Sequence, residues 1–375
     1  MMNNLWQTYK IGDICTMKYG KMPKKEDLTE SGYPVFSGYR VVAFSKKYLY
    51  KDSEIVVVAR GVGGSGNIVM SPQFAWITNL SIVLQINDSQ VNKTFLYYQL
   101  FSTSLKSLNT GSAQFQIVIN NLKEYQVKLP NLNTQRKIAS ILSAYDDLIE
   151  NNTRRIKILE EMAQMLYREW FVNFRFPNHE NVKMVESELG LIPEGWIGKL
   201  EDALILQRGF DLPHRDRKEG NIPIYAATGI VGTHSEAKVK APCVITGRSG
   251  SLGTVLYIDE DFWALNTTLW TKEFRKVTPI YAFYLLSSLG LEQYNSGAAV
   301  PTLNRNDIHG LTVLIPSSEI LKKFDEYILP LFQLKKSLTA KNINLRKTRD
   351  LLLPKLISGE IDVENLDIET VAAAA

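Results

Sequence analysis

Residues 138 to 170 read IASILSAYDDLIENNTRRIKILEEMAQMLYREW, and this stretch decides how the rest of the chain is organised. Its seam residues are spaced alternately four and three apart without a break, which is the pattern of a helix that packs lengthwise against another helix. A helix of roughly 35 residues is about 50 Å long at 1.5 Å per residue. The seam consists of Ile138, Leu142, Tyr145, Ile149, Asn152, Ile156, Leu159, Ala163, Leu166 and Trp170.

A weaker copy of this seam follows 186 residues later, with three polar members. Pro330 and Pro354 are expected to kink or end the second helix, because proline has no N–H to donate. The second seam consists of Phe324, Ile328, Leu331, Lys335, Leu338, Asn342, Leu345, Arg349, Leu352 and Leu356.

The two helices can pair with each other or with helices of another chain. In an antiparallel pair with Asn152 opposite Asn342, every seam position faces another seam position. A buried Asn pair would fix this register at some cost in stability and hold the flanking domains at a set separation. Alternatively, each Asn is a hydrated residue on the surface of its helix. The antiparallel register places Ile149 opposite Leu345, Ile156 opposite Leu338 and Ile138 opposite Leu356.

The rest of the sequence is also duplicated, with copies 186 to 189 residues apart. A period this long indicates two similar domains rather than a solenoid, and therefore a molecule that makes one kind of contact at two places. The matching segments are Pro34 to Phe36 with Pro223 to Tyr225, Arg60, Gly63 and Gly66 with Arg248, Gly250 and Gly253, Asn79 to Ile82 with Asn266 to Leu269, and Gly111 to Ala113 with Gly297 to Ala299.

Each copy alternates short β-type runs, such as 54–59 and 241–246, with turns rich in glycine and proline. The predicted fold class is therefore α+β, with two similar mixed α/β domains joined by two long helices that form an antiparallel coiled coil. The expected boundaries are 1–133 for the first domain, 134–174 for the central helix, 175–196 for a linker, 197–316 for the second domain, 317–360 for the distal helix and 361–375 for a tail.

The composition is that of an ordinary soluble protein, with 45% hydrophobic and 22% charged residues among 375. No apolar run approaches the ~18 residues of a membrane span, and the N-terminal residues lack a signal-peptide layout. Cys15 and Cys243 are isolated, so neither a disulfide framework nor a thiolate metal site is indicated, and a cytoplasmic location is expected. The net charge of +4 permits a polyanionic partner without requiring one.

Two glycine-rich stretches imitate nucleotide-binding motifs. Gly61 to Gly66 spell GxGxxG after a predicted strand, but a dinucleotide site also needs a following helix, and Asn67 to Pro72 is strand-like. Gly247 to Thr254 lacks the lysine of a P-loop. Both stretches are interpreted as turns.

Both copies keep an arginine at a strand end followed by glycines. Such a turn lets a phosphate or base edge approach, and arginine can then bind guanine or phosphate, although a hairpin arginine paired with a carboxylate fits equally well. Asn and Gln can read adenine, and basic runs supply charge, although such runs usually lie on solvated faces. The candidate DNA-contacting residues are Tyr39, Arg40, Arg60, Gly63, Gln114, Gln116, His214, Arg215, Arg217, Arg248, Ser249, Asn304 and Arg305.

Residues that would support catalysis are missing from the sequence. The four histidines are scattered, and no HExxH, GxSxG, amino-methyltransferase or nuclease pattern occurs. The chain is therefore expected to be non-catalytic, with no metal site.

Three stretches carry a family resemblance. IENNTRRIKILEEMA at 149–163 and YREWFVNFRFP at 167–177 resemble the central conserved region of the specificity (S) subunits of type I restriction-modification enzymes. LGLIPEGW at 189–196 resembles the start of their second recognition domain, and LLPKLISGEI at 352–361 resembles their distal conserved region. Arg60 and Arg248 match the recurring arginine-glycine turn of the family.

The resemblance implies two target recognition domains, each binding half of a split sequence in double-stranded DNA. It also implies that the helices dock two methyltransferase (M) subunits, which bind S-adenosylmethionine and methylate adenine, while this chain carries no cofactor. Restriction/translocase (R) subunits would complete the complex. Changing the length of the first helix would then change the spacer and leave both half-sites intact. The rival interpretation is an adaptor that dimerises through its coiled coil and binds protein or glycan.

Overall fold

The computed structural model describes residues 6–61, 64–110, 115–297 and 300–367. The chain divides into two compact units, the first comprising residues 1–153 and 340–375 and the second residues 154–339. Each unit contains one copy of the duplicated domain and a part of each long helix.

The residues up to 171 form strands β1 to β10 and helices α1 to α4. The strands are β1 Gln7–Lys10, β2 Cys15–Tyr19, β3 Leu28–Thr29, β4 Tyr33–Ser37, β5 Arg40–Ser45, β6 Ile55–Val58, β7 Ile68–Met70, β8 Trp76–Ile77, β9 Ser81–Ile86 and β10 Gln126–Leu129. The helices are α1 Ile11–Ile14, α2 Lys93–Ser102, α3 Ile119–Lys123 and α4 Leu132–Phe171.

The remaining residues form strands β11 to β21 and helices α5 to α8. The strands are β11 Met184–Ser187, β12 Gly190–Pro193, β13 Ile197–Lys199, β14 Leu204–Arg208, β15 Ile222–Ala226, β16 Gly229–His234, β17 Cys243–Gly247, β18 Val255–Ile258, β19 Trp263–Ala264, β20 Thr268–Phe274 and β21 Thr312–Leu314. The helices are α5 Leu200–Ala203, α6 Pro279–Ser288, α7 Arg305–His309 and α8 Ser318–Ser358.

The sheets repeat between the units, which confirms the duplication. An antiparallel sheet runs β2-β9-β6-β7 in the first unit and β14-β20-β17-β18 in the second. A second sheet contains β3, β5, β4 and β8 in the first unit and β16, β15 and β19 in the second, with one parallel pair in each, β4–β8 and β15–β19.

Each unit buries its own hydrophobic core. In the first unit, β6 and α2 pack against residues of both long helices, including Leu142 and Leu356. In the second unit, β17 and α6 pack against Phe171 of α4 and Phe324 of α8. The long helices are therefore part of each unit's core.

The antiparallel register of the long helices is confirmed within the first unit. Asn152 and Asn342 are both buried, and the Asn152 side-chain amide donates to Asn342 Oδ1 at 2.9 Å. Asn342 Nδ2 also lies 3.3 Å from the Ile149 carbonyl oxygen and 3.2 Å from Thr153 Oγ1. The alternative in which each Asn is hydrated on the helix surface is excluded.

The expectation that Pro330 or Pro354 ends the second helix, rather than kinking it, is wrong, because α8 runs through both. Both prolines are exposed. A proline removes the hydrogen bond to the carbonyl four residues earlier, and on an exposed face water can satisfy that carbonyl.

The stretch expected to be a linker contains the β11–β12 hairpin. Aromatic residues attach this stretch to the second unit, since the Phe176 ring stacks on Trp196 with ring centroids 4.9 Å apart and the Phe171 ring centroid lies 6.1 Å from that of the same indole. The hairpin is thus attached to the core of the second unit.

The glycine-rich stretches are hairpin connections. Gly64 to Gly66 lies between the antiparallel strands β6 and β7, with Val62 and Gly63 outside the described residues, and Arg248 to Thr254 connects β17 and β18. For the described residues of both stretches the interpretation as turns is confirmed, because each is followed by a strand and not by a helix whose N-terminus could take a phosphate.

Candidate nucleic-acid interface

An open cleft of about 1170 Å³ lies on the second unit, at the ends of β14 and β17 and beside the start of α7. Its basic residues are Arg208, Lys238, Arg248, Lys272 and Arg305, against the single acidic residue Asp211. The other lining residues are Gln207, Gly209, Phe210, Trp263, Leu269, Ser296, Thr302, Leu303, Asn304 and Asn306.

Most of this positive charge is not neutralised within the unit. Arg208 lies 3.7 Å from Asp211, but both side chains are largely exposed, so this ion pair is weak. Lys238 is 4.0 Å from Glu236. Among the described residues, neither Lys272 nor Arg305 has an ion-pair partner, so both are available to an anionic ligand.

Lys272 lies at a β-bulge in β20. Leu206 pairs with Thr271 and Ile205 with Glu273, so Lys272 is an extra residue without a partner on β14. A bulge of this kind redirects a side chain beside a site. Lys272 consequently lines the cleft together with Gln207.

Helix capping positions Arg305. Asn304 is the N-cap of α7, and its Oδ1 accepts a hydrogen bond from the Asn306 backbone N–H at 3.1 Å. At the other end of α7, His309 Nε2 accepts from the Leu206 backbone N–H at 3.1 Å, and burial lowers the pKa of this imidazole. The neutral histidine therefore fixes α7 against β14.

Arg248 forms part of the cleft wall. Its backbone N–H donates to the Thr267 carbonyl at 2.8 Å, and its carbonyl accepts from the Leu303 N–H at 2.8 Å. The guanidinium donates to the Asn266 carbonyl oxygen at 3.3 Å. Arg248 is thus held on both sides while it lines the cleft.

Aromatic groups lie among these charges. The rings of Phe210 and Trp263 are 6.2 Å apart at 72°, and Lys238 Nζ lies 5.4 Å from the Trp263 ring centroid. A concave basic surface with exposed amides beside a half-buried Phe210 and a buried Trp263 is suited to the backbone and base edges of a nucleic acid.

The structure brings together three of the sequence-predicted residues, Arg248, Asn304 and Arg305, in this cleft. Ser249 follows Arg248 and forms a β-bridge with Thr302. His214, Arg215 and Arg217 lie on or beside a short 3₁₀ turn outside the residues that line the cleft, and Arg215 lies 3.7 Å from Asp216.

The sequence prediction missed Gln207, Arg208, Lys238 and Lys272. Arg208 precedes Gly209 at a strand end, which is the same signal that selected Arg60 and Arg248. Lys272 gave no signal, because a bulge cannot be recognised in a single strand.

In the first unit, the predicted residues lie on separate elements. Tyr39 immediately precedes β5, and its side chain is 60% exposed. Arg40 is the first residue of β5 and pairs with Ser37. Arg60 is exposed and forms a β-bridge with Gln116. Gly63 and Gln114 lie outside the described residues.

The alignment of Arg60 with Arg248 is wrong by one residue. The backbone N–H and carbonyl of Arg248 bond to Thr267 and Leu303, whereas the corresponding bonds to Leu80 and Ile117 are made by Ala59. Arg60 instead matches Ser249, because their β-bridges join Gln116 and Thr302. The inserted residue in the first turn displaced the sequence alignment, so the two arginines hold different positions.

The family profile described as "Type I restriction modification DNA specificity domain" matches residues 3–161 and 197–344. The type I restriction enzyme MjaIX specificity subunit of Methanocaldococcus jannaschii is 32% identical, over 85% of this chain and 80% of that protein. The HindI specificity subunit of Haemophilus influenzae is 22% identical, over 84% of each chain. No described helix is long and apolar enough to cross a membrane.

The crystal structure of a type I restriction-modification S subunit from M. genitalium has a similar fold. It superposes with a TM-score of 0.73 at 21% identity and covers 95% of this chain and 97% of its own.

Proposed function

Because the chain belongs to the family of type I restriction modification DNA specificity domains, we propose that it recognises a bipartite DNA target for a type I restriction-modification complex. The basic cleft of the second unit would contact one half-site, and the matching face of the first unit the other. The observation that carries this proposal is the convergence of Arg208, Lys272 and Arg305 on one concave surface.

The chemistry of the cleft supports contact with double-stranded DNA. Arginine and lysine bind phosphate oxygens, arginine also pairs with guanine, and the amides of Gln207 and Asn306 can pair with adenine in the major groove. Lys272 and Arg305 are on different elements, so their charges lie along the wall of the cleft rather than at one point.

We further propose that the chain contributes recognition and no catalysis. Two methyltransferase subunits, docked on the long helices, would bind S-adenosylmethionine and methylate adenine, and restriction/translocase subunits would cleave unmodified DNA. The complex would act on DNA in the cytoplasm. The non-specific spacer between the half-sites would be set by the helices.

The test is to co-express the chain with its adjacent methyltransferase subunit and to map N6-methyladenine across the host genome. We expect methylation at one split motif, lost when the chain is omitted and strongly reduced by Arg305→Gln. Arg215→Gln changes an exposed arginine of the same unit outside the cleft and should leave methylation nearly unchanged. If the methyltransferase subunit is active but methylation is the same with and without the chain, the proposal is contradicted.

A further inference from the structure

The repeated sheets allow the cleft of the second unit to be compared with the first unit, position by position. Arg208 pairs with Leu269 in the second unit, and Tyr19 pairs with Ile82 in the first, so Arg208 corresponds to Tyr19. The Lys238 backbone N–H donates to the Phe262 carbonyl, and the Leu49 N–H donates to the Ala75 carbonyl in the same place of the first unit, so Lys238 corresponds to Leu49. Asn304 and Val118 are the N-caps of α7 and α3, so Arg305 corresponds to Ile119.

None of the basic residues of the cleft has a basic counterpart in the first unit. Arg208, Lys238, Arg248 and Arg305 are replaced by Tyr19, Leu49, Ala59 and Ile119. Lys272 has no counterpart, because β2 and β9 pair in regular register from Cys15 to Tyr19 without the bulge.

The corresponding face of the first unit is mostly neutral. Among its described residues, the basic ones are Lys18 and Lys21, at the positions of Gln207 and Phe210, and Arg60 at the position of Ser249, while Met22 replaces Asp211. Exposed apolar side chains take the place of charge, since Tyr19 is 36%, Leu49 41% and Met22 61% exposed.

We infer that the two units hold DNA unequally, and this inference rests on the proposed DNA-binding function. The second unit supplies most of the charge that contacts phosphate. The first unit holds its half-site chiefly through apolar and neutral groups, such as contacts with thymine methyl groups.

Salt dependence separates these two modes of contact. Each phosphate contact made by lysine or arginine contributes about 0.9 to the slope of log affinity against log salt concentration, because a condensed counterion is released. Apolar and neutral contacts contribute little to this slope.

The experiment compares two variants that each remove three positive charges from exposed side chains. Arg208→Gln/Lys272→Gln/Arg305→Gln alters the second unit, and Lys18→Gln/Lys21→Gln/Arg60→Gln alters the first. Each full-length chain is assembled with its methyltransferase subunit and bound to a duplex that carries the mapped motif. Affinity is measured by fluorescence anisotropy between about 50 and 200 mM salt, and thermal unfolding confirms that both variants fold.

We expect the slope to fall by about 2 to 3 for the second-unit variant and by less than about 1 for the first-unit variant. Equal falls, or a larger fall for the first-unit variant, would overturn the unequal division while leaving DNA recognition intact. A wild-type complex that shows no preference for the motif would overturn the proposed function itself, and the unequal division with it.

Discussion

At the scale of single residues, the burial of the Asp325 carboxyl in the second unit makes the stability of that unit depend on pH. Burial raises the pKa of its carboxyl to about 6, and the hydrogen bond donated by Thr278 Oγ1 at 3.0 Å offsets this only in part. The unfolded chain releases this proton near pH 3.8. The folded unit therefore binds more protons between pH 4 and 6, and stability falls as the pH rises through that window.

Asp325→Asn should consequently stabilise the second unit at pH 8 by about 1 kcal/mol, a figure reduced for the partial exposure of the group. At pH 4 the gain should vanish, because the wild-type carboxyl is then protonated in the folded state. Urea unfolding at the two pH values measures this difference, with the exposed neighbour Glu326→Gln as the control. An equal gain at both pH values would show that the buried charge is not the cause.

Gly209 lines the cleft at a position where a side chain does not fit. A Cβ there would overlap the carbonyl oxygen of Leu265, and in the first unit a Cβ on Gly20 would overlap that of Ile77. Because backbone must move, Gly209→Ala should destabilise the unit by about 2 to 4 kcal/mol and weaken DNA binding. Gly310→Ala, which meets open space, should be nearly neutral in the same thermal unfolding assay. Comparable losses for both variants would rule out the overlap as the cause.

Sequence reasoning located part of the candidate site. Arg248 and Arg305 were found because arginine beside glycine or asparagine in a loop is a chemical signal. Lys272 and Lys238 were not, because their place depends on a bulge and on a pairing between distant segments. The extra residue in the turn after Arg60 is visible in the sequence, where Arg60-Gly-Val-Gly stands against Arg248-Ser-Gly, and the backbone hydrogen bonds show that it offsets Arg60 from Arg248 by one position.

At the scale of elements, the polar members of the weaker seam each find a partner on α4. Asn342 pairs with Asn152, Arg349 with Asp146, and Lys335 lies 2.6 Å from Glu160. Tyr98 of α2 also donates to Asp146 at 2.6 Å. A shift of one long helix along the other would separate the three pairs between α4 and α8, so these pairs specify the register rather than weaken it.

Replacing one member of the Asn pair should leave the other buried with fewer partners. Asn152→Leu and Asn342→Leu are each expected to destabilise the first unit by about 1 to 3 kcal/mol. The double variant should recover most of this loss, because two leucines form an apolar contact. Urea unfolding of the four proteins completes the cycle, and additive losses in the double variant would contradict a direct coupling.

The helices show what the sequence pattern could and could not predict. The alternating spacing of apolar residues predicted both helices and the Asn152–Asn342 contact, since the pattern follows directly from helix geometry. The prediction that Pro330 or Pro354 would end α8 was wrong, because the cost of the helical hydrogen bond that a proline removes depends on whether the freed carbonyl is exposed to water.

At the scale of the whole molecule, the helices are expected to set the DNA spacer. Three heptads added to each helix at the division between the units would preserve the seam and lengthen it by about 32 Å, close to one turn of B-DNA. Mapping of methylated adenines should then give the same two half-sites with a spacer longer by roughly nine base pairs. One added heptad should weaken methylation, because the second half-site would lie on another face of the duplex. A changed half-site sequence would refute the role of the helices as a spacer.

The duplication was the most predictable property of the whole chain, because matching segments of sequence recur 186 to 189 residues apart. The division into units was not. It falls inside α4 and α8, where no change of composition marks it, and only the three-dimensional packing defines it.

This division has a consequence for synthesis on the ribosome. The second unit is one continuous segment, 154–339, whereas the first unit needs residues 340 onward. Leu353, Leu356 and Val363 belong to the core of the first unit, so that core cannot close until they have been translated. At about 5 to 20 residues per second, the first domain keeps apolar surface exposed for roughly 10 to 40 seconds while the second unit is synthesised and completes its fold. We therefore expect the usual order of folding during synthesis, N-terminal domain first, to be reversed, and the nascent first domain to be the form that chaperones meet.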